Sequence, residues 1–234
     1  EWVQFDEPYS VYDLAESDIE LFEKLYSGIL SAKNKVKILL QTYFGDVRDC
    51  YKNISALDFD GIGLDFVEGK KTFELVSENG FADGKILFAG VVNGKNIWKN
   101  NYEKTFDLIG NLKSKGIETV LSTSCSLLHV PYTLKNETKL PQKYLEHFAF
   151  AEEKLLELAE LKLLSETDYG NENLYKANIE LHKNRPDCND PAVKERVANI
   201  SESDFTRIPA FEEREKIQKT VFCLPLFPTT TIGS

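Results

Sequence analysis

Cys125 and His129 lie four residues apart in the stretch Thr119–Pro131, TVLSTSCSLLHVP. A thiol beside an imidazole suggests two chemistries, a base-activated nucleophile or part of a metal site. Zinc needs three or four ligands. The chain has only three histidines, and the other two, His147 and His182, fall on expected helices. A complete site from these residues is therefore not expected, and the simpler reading is a buried small Cys and a loop His. Asp6 and Glu7 end an apolar run and suit general acid–base work, amine binding or the anchoring of a loop. Asp65 ends another run in the same way. Asn93, Asn96 and Trp98 form a polar-aromatic loop suited to a flat heterocycle, or simply to loop packing. Thr229 to Ser234 is small, polar and contains Gly. Its amides and hydroxyls suit a carboxylate or amino group, although a linker has the same composition.

Most of these residues follow strand-like runs. Glu1–Asp6, Val36–Phe44, Gly61–Val67, Lys85–Val92 and the start of Thr119–Pro131 read as five strands. They recur at intervals of roughly 25 to 35 residues, the room that parallel crossovers need. The intervening segments read as helices. Ser17 and Glu20 form a capping-box pattern before Ile19, Phe22, Leu25, Tyr26, Ile29 and Leu30 at helical spacing. A short helix is expected around Arg48–Leu57, another over Lys70–Glu78, and a longer one over Asn101–Ser114. No GxGxxG follows any strand, and polar residues gather at the strands' C-terminal ends. That favours a (β/α)8 barrel over a doubly wound sheet. Five strands do not close such a barrel, so about three are expected to precede Glu1 in a parent protein. The absence of Met and the strand-like opening fit a beginning inside a domain.

After Pro131 the pattern becomes helical. One long helix is expected over Pro141–Glu166 and another over Asn171–Lys183. A third starts at Asp190-Pro191, with Asp190 as N-cap and Pro191 in the first turn, and a fourth runs over Pro209–Lys219. From Val221 the chain is expected to be extended, because Pro225 and Pro228 exclude a regular helix there. The fold class is thus α/β, a partial TIM-type barrel of about five parallel strands followed by a helical extension. The expected divisions are 1–166 for the barrel part, 167–220 for the helices and 221–234 for a linker.

The chain has 234 residues, 28 basic and 38 acidic side chains and a net charge of −10. That balance argues against nucleic-acid and anionic-membrane partners, which need a basic surface. No apolar run approaches the roughly 18 residues of a membrane helix, and no signal peptide opens the chain. Cys50, Cys125, Cys188 and Cys223 form no CxxC pair and read as reduced thiols of a cytoplasmic protein.

Seven segments, in order, resemble cobalamin-independent methionine synthase. They are WVQFDEP (2–8), LLQTYFG (39–45), GLDFVEG (63–69), AGVVNGKNIW (89–98), STSCSLLHVP (122–131), FAFAEEK (148–154) and LPLFPTTTIGS (224–234). The resemblance implies a two-barrel enzyme that transfers a methyl group from polyglutamylated 5-methyltetrahydrofolate to homocysteine. It places this chain in the later N-terminal barrel and the inter-barrel link. Catalytic zinc would be held by the other barrel, so no catalytic residue, metal ligand or cofactor is expected in this chain. Ile232, Gly233 and Ser234 map onto the segment that contacts the substrate amino acid. By the family's internal duplication, Cys125 stands at a zinc-cysteine position and Asp65 near that of a Glu ligand. The implied partners are the two substrates and the missing barrel segments, and the chain alone is expected to be inactive. Two other readings are a noncatalytic folate-binding or scaffolding module, and a different barrel enzyme using Asp6 and Glu7.

Overall fold

The computed structural model describes residues 1–184 and 189–229. Five strands, β1 (Trp2–Asp6), β2 (Lys37–Gln41), β3 (Gly61–Asp65), β4 (Ile86–Val92) and β5 (Thr119–Thr123), form one sheet in the order β1-β2-β3-β4-β5. Every neighbouring pair is parallel. A doubly wound sheet reverses its strand order at a switch point, and this one never does. Right-handed crossovers that always advance one strand put every helix on the same face, which is the local rule of a (β/α)8 barrel.

Helices α1 (Glu16–Ser31), α2 (Tyr51–Ala56), α3 (Thr72–Asn79) and α4 (Tyr102–Ser114) make those crossovers. Tyr26, Leu30, Ile54, Val76, Phe106 and Leu112 from these helices join Ile38, Leu40, Ile62, Leu64, Leu87 and Ala89 from the strands in one buried core. The alternate strand residues face the other way. Trp2 and Phe88 meet edge-to-face there, with ring centroids 5.6 Å apart. Gly61 makes room for them, since a Cβ at that position would lie 2.8 Å from the Phe88 ring.

Several expected boundaries shift. Helix α1 begins at Glu16, so Ser17 does not cap it; the Asp18 carboxylate accepts from the Ala15 amide at 2.9 Å. Strand β2 stops at Gln41; Thr42 still donates its amide to the Gly63 carbonyl at 3.0 Å, and Tyr43 and Phe44 leave the sheet. The single helix expected over Pro141–Glu166 is two, α5 (Gln142–Leu145) and α6 (Ala151–Ser165). Between them the chain pairs with the loop after β4 through a Trp98–Phe148 bridge. Helix α7 (Asn173–Lys183) follows, and it completes a compact unit with everything before it.

A second unit contains α8 (Pro191–Ala198) and α9 (Phe211–Phe222). Asp190 caps α8 by accepting from the Ala192 and Val193 amides. Helix α9 runs through Val221 and Phe222, where the nearby prolines predict an extended chain, and ends at Cys223 in the left-handed region. No helix among the described residues is long and apolar enough to cross a membrane.

Candidate functional site at the strand ends

Parallel register carries the C-terminal ends of all five strands to one edge of the sheet. Asp6 pairs with Gln41 across β1 and β2, and Asp65 pairs with Gly90 across β3 and β4. At the first junction Asp6 Oδ1 accepts from Gln4 Nε2 at 2.7 Å and from the Tyr43 hydroxyl at 3.0 Å. Burial and this contact with Asp6 push the Tyr43 hydroxyl well above its usual range, so it remains a donor. Glu7 turns instead toward the helices, where Oε2 accepts from Tyr26 OH at 2.9 Å. The two adjacent carboxylates therefore do not act on one centre.

Phe44 sits just past β2 with φ 69°, in the left-handed region. A bulky residue held there is strained, and such outliers cluster where function over-determines the backbone. Its half-exposed ring lies 5.5 Å from the Lys95 ammonium and 5.5 Å from the His129 ring. Lys95 Nζ also pairs with Glu68 Oε2 at 2.9 Å, and that hydrogen bond holds its ammonium above the usual lysine range. The result is an aromatic surface with a cation and a carboxylate at its edge. It suits a flat ring carrying polar or charged substituents.

Asp65 is buried and turned onto its own chain, where Oδ1 accepts from the Val67 and Glu68 amides at 2.7 and 2.9 Å. Its Oδ2 is buried without a hydrogen-bond partner, and burial raises its carboxyl pKa. Cys125 is buried as well, with Sγ 3.7 Å from the Ser126 carbonyl, and burial pushes its thiol up. His129 stands on a 3-10 turn (Leu127–His129) and packs on Phe44, so Cys125 and His129 have diverging contacts. His147 is buried between α5 and α6, and His182 Nδ1 lies 2.9 Å from the Asn178 carbonyl on α7.

Among the described residues no group of three or more His, Cys, Asp or Glu side chains is placed to hold a metal ion. A buried Cys125 thiol and one orphan oxygen on Asp65 fall short of a zinc site. No step through zinc is assigned to this chain.

In the loop after β4, Asn93, Asn96 and Trp98 follow the loop-packing reading rather than the heterocycle one. Asn93 Oδ1 accepts from the amides of Lys95 and Asn96, and Asn96 Oδ1 accepts from that of Trp98. Both side-chain oxygens thus fold the loop, while Trp98 packs edge-on against Phe148 at 5.1 Å. Ile232, Gly233 and Ser234 lie outside the described residues.

Gln4, Tyr43, Phe44, Glu68 and Lys95 are unremarkable in residue type, and no motif singles them out. Glu68 and Lys95 do stand in short breaks directly after expected strands, whereas Gln4, Tyr43 and Phe44 fall inside them.

A family model described as the N-terminal domain of cobalamin-independent synthase matches residues 1–116. Among curated proteins, the chain is 52% identical over 233 residues to a 5-methyltetrahydropteroyltriglutamate–homocysteine methyltransferase of Campylobacter jejuni subsp. doylei. It is 50% identical over 236 residues to the protein of that name from Lactococcus lactis subsp. lactis. Both alignments cover 100% of this chain but only 31% and 30% of the relatives, so the chain spans about a third of their length.

Proposed function

The chain belongs to the cobalamin-independent methionine synthase family, and from that premise we propose that its strand-end face helps hold polyglutamylated 5-methyltetrahydrofolate for methyl transfer to homocysteine. The observation that carries this reading is the cluster of Phe44, Lys95, His129 and Glu68 where the strands end. An aromatic face with a flanking cation suits the ring and carboxylates of a folate.

In this reading the chain binds and orients, and the reaction centre lies elsewhere. A thiol becomes an effective nucleophile as its thiolate, and zinc supplies that activation when bound. The ligands for it lie outside this chain. The methyl donor is a tertiary amine that must be activated by protonation. Rigid walls at strand ends hold such a donor in an attack geometry better than mobile loops would. Ile232, Gly233 and Ser234 contact the amino-acid end of homocysteine in this proposal. In this proposal residues 1–166 supply the barrel part, α7 packs in the same compact unit, and the link to a following barrel begins after α9. The free thiols of Cys50, Cys125 and Cys223 suit a cytoplasmic setting.

Equilibrium titration of the chain with 5-methyltetrahydropteroyltriglutamate tests this. Saturable binding that Phe44→Ala and Lys95→Ala each weaken is expected, without turnover by the chain alone. No binding, or binding indifferent to both substitutions, overturns the folate assignment. Turnover by the chain alone would instead favour an independent barrel enzyme.

A further inference from the structure

Helix α6 buries two charged side chains one turn apart. Lys154 is fully buried and Glu157 is 4% exposed. Removing either charge from water costs several kcal/mol, and an apolar residue would fill the space more cheaply. Neither residue reaches the strand-end cluster; both reach the backbone of the loop that presents it.

Lys154 Nζ donates to the Trp98 carbonyl at 3.1 Å, and Glu157 Oε1 accepts from the Asn100 amide at 2.8 Å. On the other side of the loop, Ala149 N donates to the Ile97 carbonyl at 2.7 Å and Lys99 N to the His147 carbonyl at 2.9 Å. Asn178 Nδ2 of α7 donates to the Asn100 carbonyl at 2.9 Å. Residues 97–100 are thus gripped by five backbone contacts from outside the loop. Toward its start the loop is tied by Gly94 N to Ser124 Oγ at 3.1 Å and by the Asn93 turn under Lys95 and Asn96. Lys95 projects from the span between these two anchors, toward Phe44 and Glu68.

We propose that Lys154 and Glu157 are positioning residues for the strand-end site, setting through the Trp98 carbonyl and the Asn100 amide where the Lys95–Trp98 segment stands. The consequence for folate rests on the binding role proposed above; the consequence for the loop does not. Glu157 Oε2 is buried without a partner, so the carboxylate is held by the one bond it accepts from the Asn100 amide. Lys154, Lys99 and Glu160 are the charged groups that act on it.

Amide hydrogen exchange in the full chain, without ligand, tests the positioning. Glu157→Leu removes the acceptor and Lys154→Met the donor, while Glu157→Gln keeps an oxygen facing Asn100. Leu161→Ala, a core deletion on the same helix, controls for general destabilisation. Loss of one buried hydrogen bond predicts about tenfold faster exchange at Lys95, Asn96 and Trp98 in Glu157→Leu and Lys154→Met than in the control. Glu157→Gln should stay near the unsubstituted protein. Exchange no faster than in the control overturns the proposal. Should the deletion variants not fold, NMR titration of the unsubstituted protein decides the same point. A pH-dependent shift centred near neutrality at the Asn100 amide should extend to Lys95–Trp98 and vanish in Glu157→Gln. A shift confined to Asn100 overturns the proposal. Folate affinity should then fall in the order of the exchange effects. Faster exchange in a protein that binds no folate leaves the positioning standing and removes the folate reading.

Discussion

Lys95 holds its ammonium 5.5 Å from the centre of the Phe44 ring, joining the loop after β4 to the strained residue after β2. One strand, β3, lies between β2 and β4 in the sheet, so the contact spans the mouth rather than a single junction. Both partners remain partly exposed, and neither is needed to fill the core.

Phe44→Gly separates backbone strain from the use of the ring. Glycine takes φ 69° freely, and relief of that strain returns about 1 kcal/mol. Loss of the half-exposed ring removes a similar amount of burial, about 1 kcal/mol. The urea midpoint should therefore stay close to that of the unsubstituted protein, whereas folate affinity should fall by about tenfold, the weight of one cation–π contact. A large stability loss with unchanged affinity would assign Phe44 to the scaffold.

Thiol reactivity should divide the cysteines by environment. Burial pushes Cys50 up to about 12 and Cys125 in the same direction, and both are shielded from solvent. Cys223 is exposed at the end of α9. Alkylation at pH 8 followed by peptide mapping should label Cys223 before Cys50 and Cys125, which are modified only as the protein unfolds. Prompt labelling of Cys125 in the native state would show an activated thiol.

Gly94→Ala should be costly although the residue lies in a loop. A Cβ there would stand 2.5 Å from the Cys125 carbonyl oxygen and 2.9 Å from its sulfur. The backbone at Cys125 cannot retreat easily, because Ser124 is bonded to both Gly94 and Val92. Overpacking of this kind costs about 1–3 kcal/mol. Chemical denaturation reads the loss directly, and an unchanged midpoint would mean that the loop moves aside.

The strands were legible because runs such as ILL in β2 and ILFAGVV in β4 are continuously apolar, the pattern of strands covered on both faces. Their sequential order follows from the barrel expectation, which rests on polar residues at the strand ends and the lack of a GxGxxG. The break between α5 and α6 was hidden because Pro141–Glu166 keeps helical periodicity throughout. The Trp98–Phe148 bridge overrides that local preference. At the site, Asp65 was visible as a strand-end carboxylate, but not that two amides occupy one of its oxygens. Cys125 and His129 are neighbours in sequence, and the 3-10 turn sends His129 to Phe44. Lys154 did leave a trace: with Leu158 and Leu161 it continues the apolar register of α6, where a surface lysine would not fall.

Glu157 should make stability depend on pH in a window just below neutrality. Burial is the main cause that raises its carboxyl from 4.5 to about 7; the Asn100 amide, Lys154 and Lys99 oppose the shift, and Glu160 adds to it. With a raised pKa, the folded state binds the proton more tightly than the unfolded chain does. Its contribution is fully present below about pH 4.5 and is lost as pH rises toward 7. The difference amounts to about 3 kcal/mol across that window, taking 1.36 kcal/mol per unit. Asp65, also raised by burial, contributes with the same sign and is common to both proteins compared. Glu157→Gln cannot titrate, so its unfolding free energy should decline less between those pH values. Urea denaturation at half-unit intervals measures both slopes. Parallel slopes would mean that Glu157 is charged throughout the range, stabilised by Lys154 more strongly than burial opposes it.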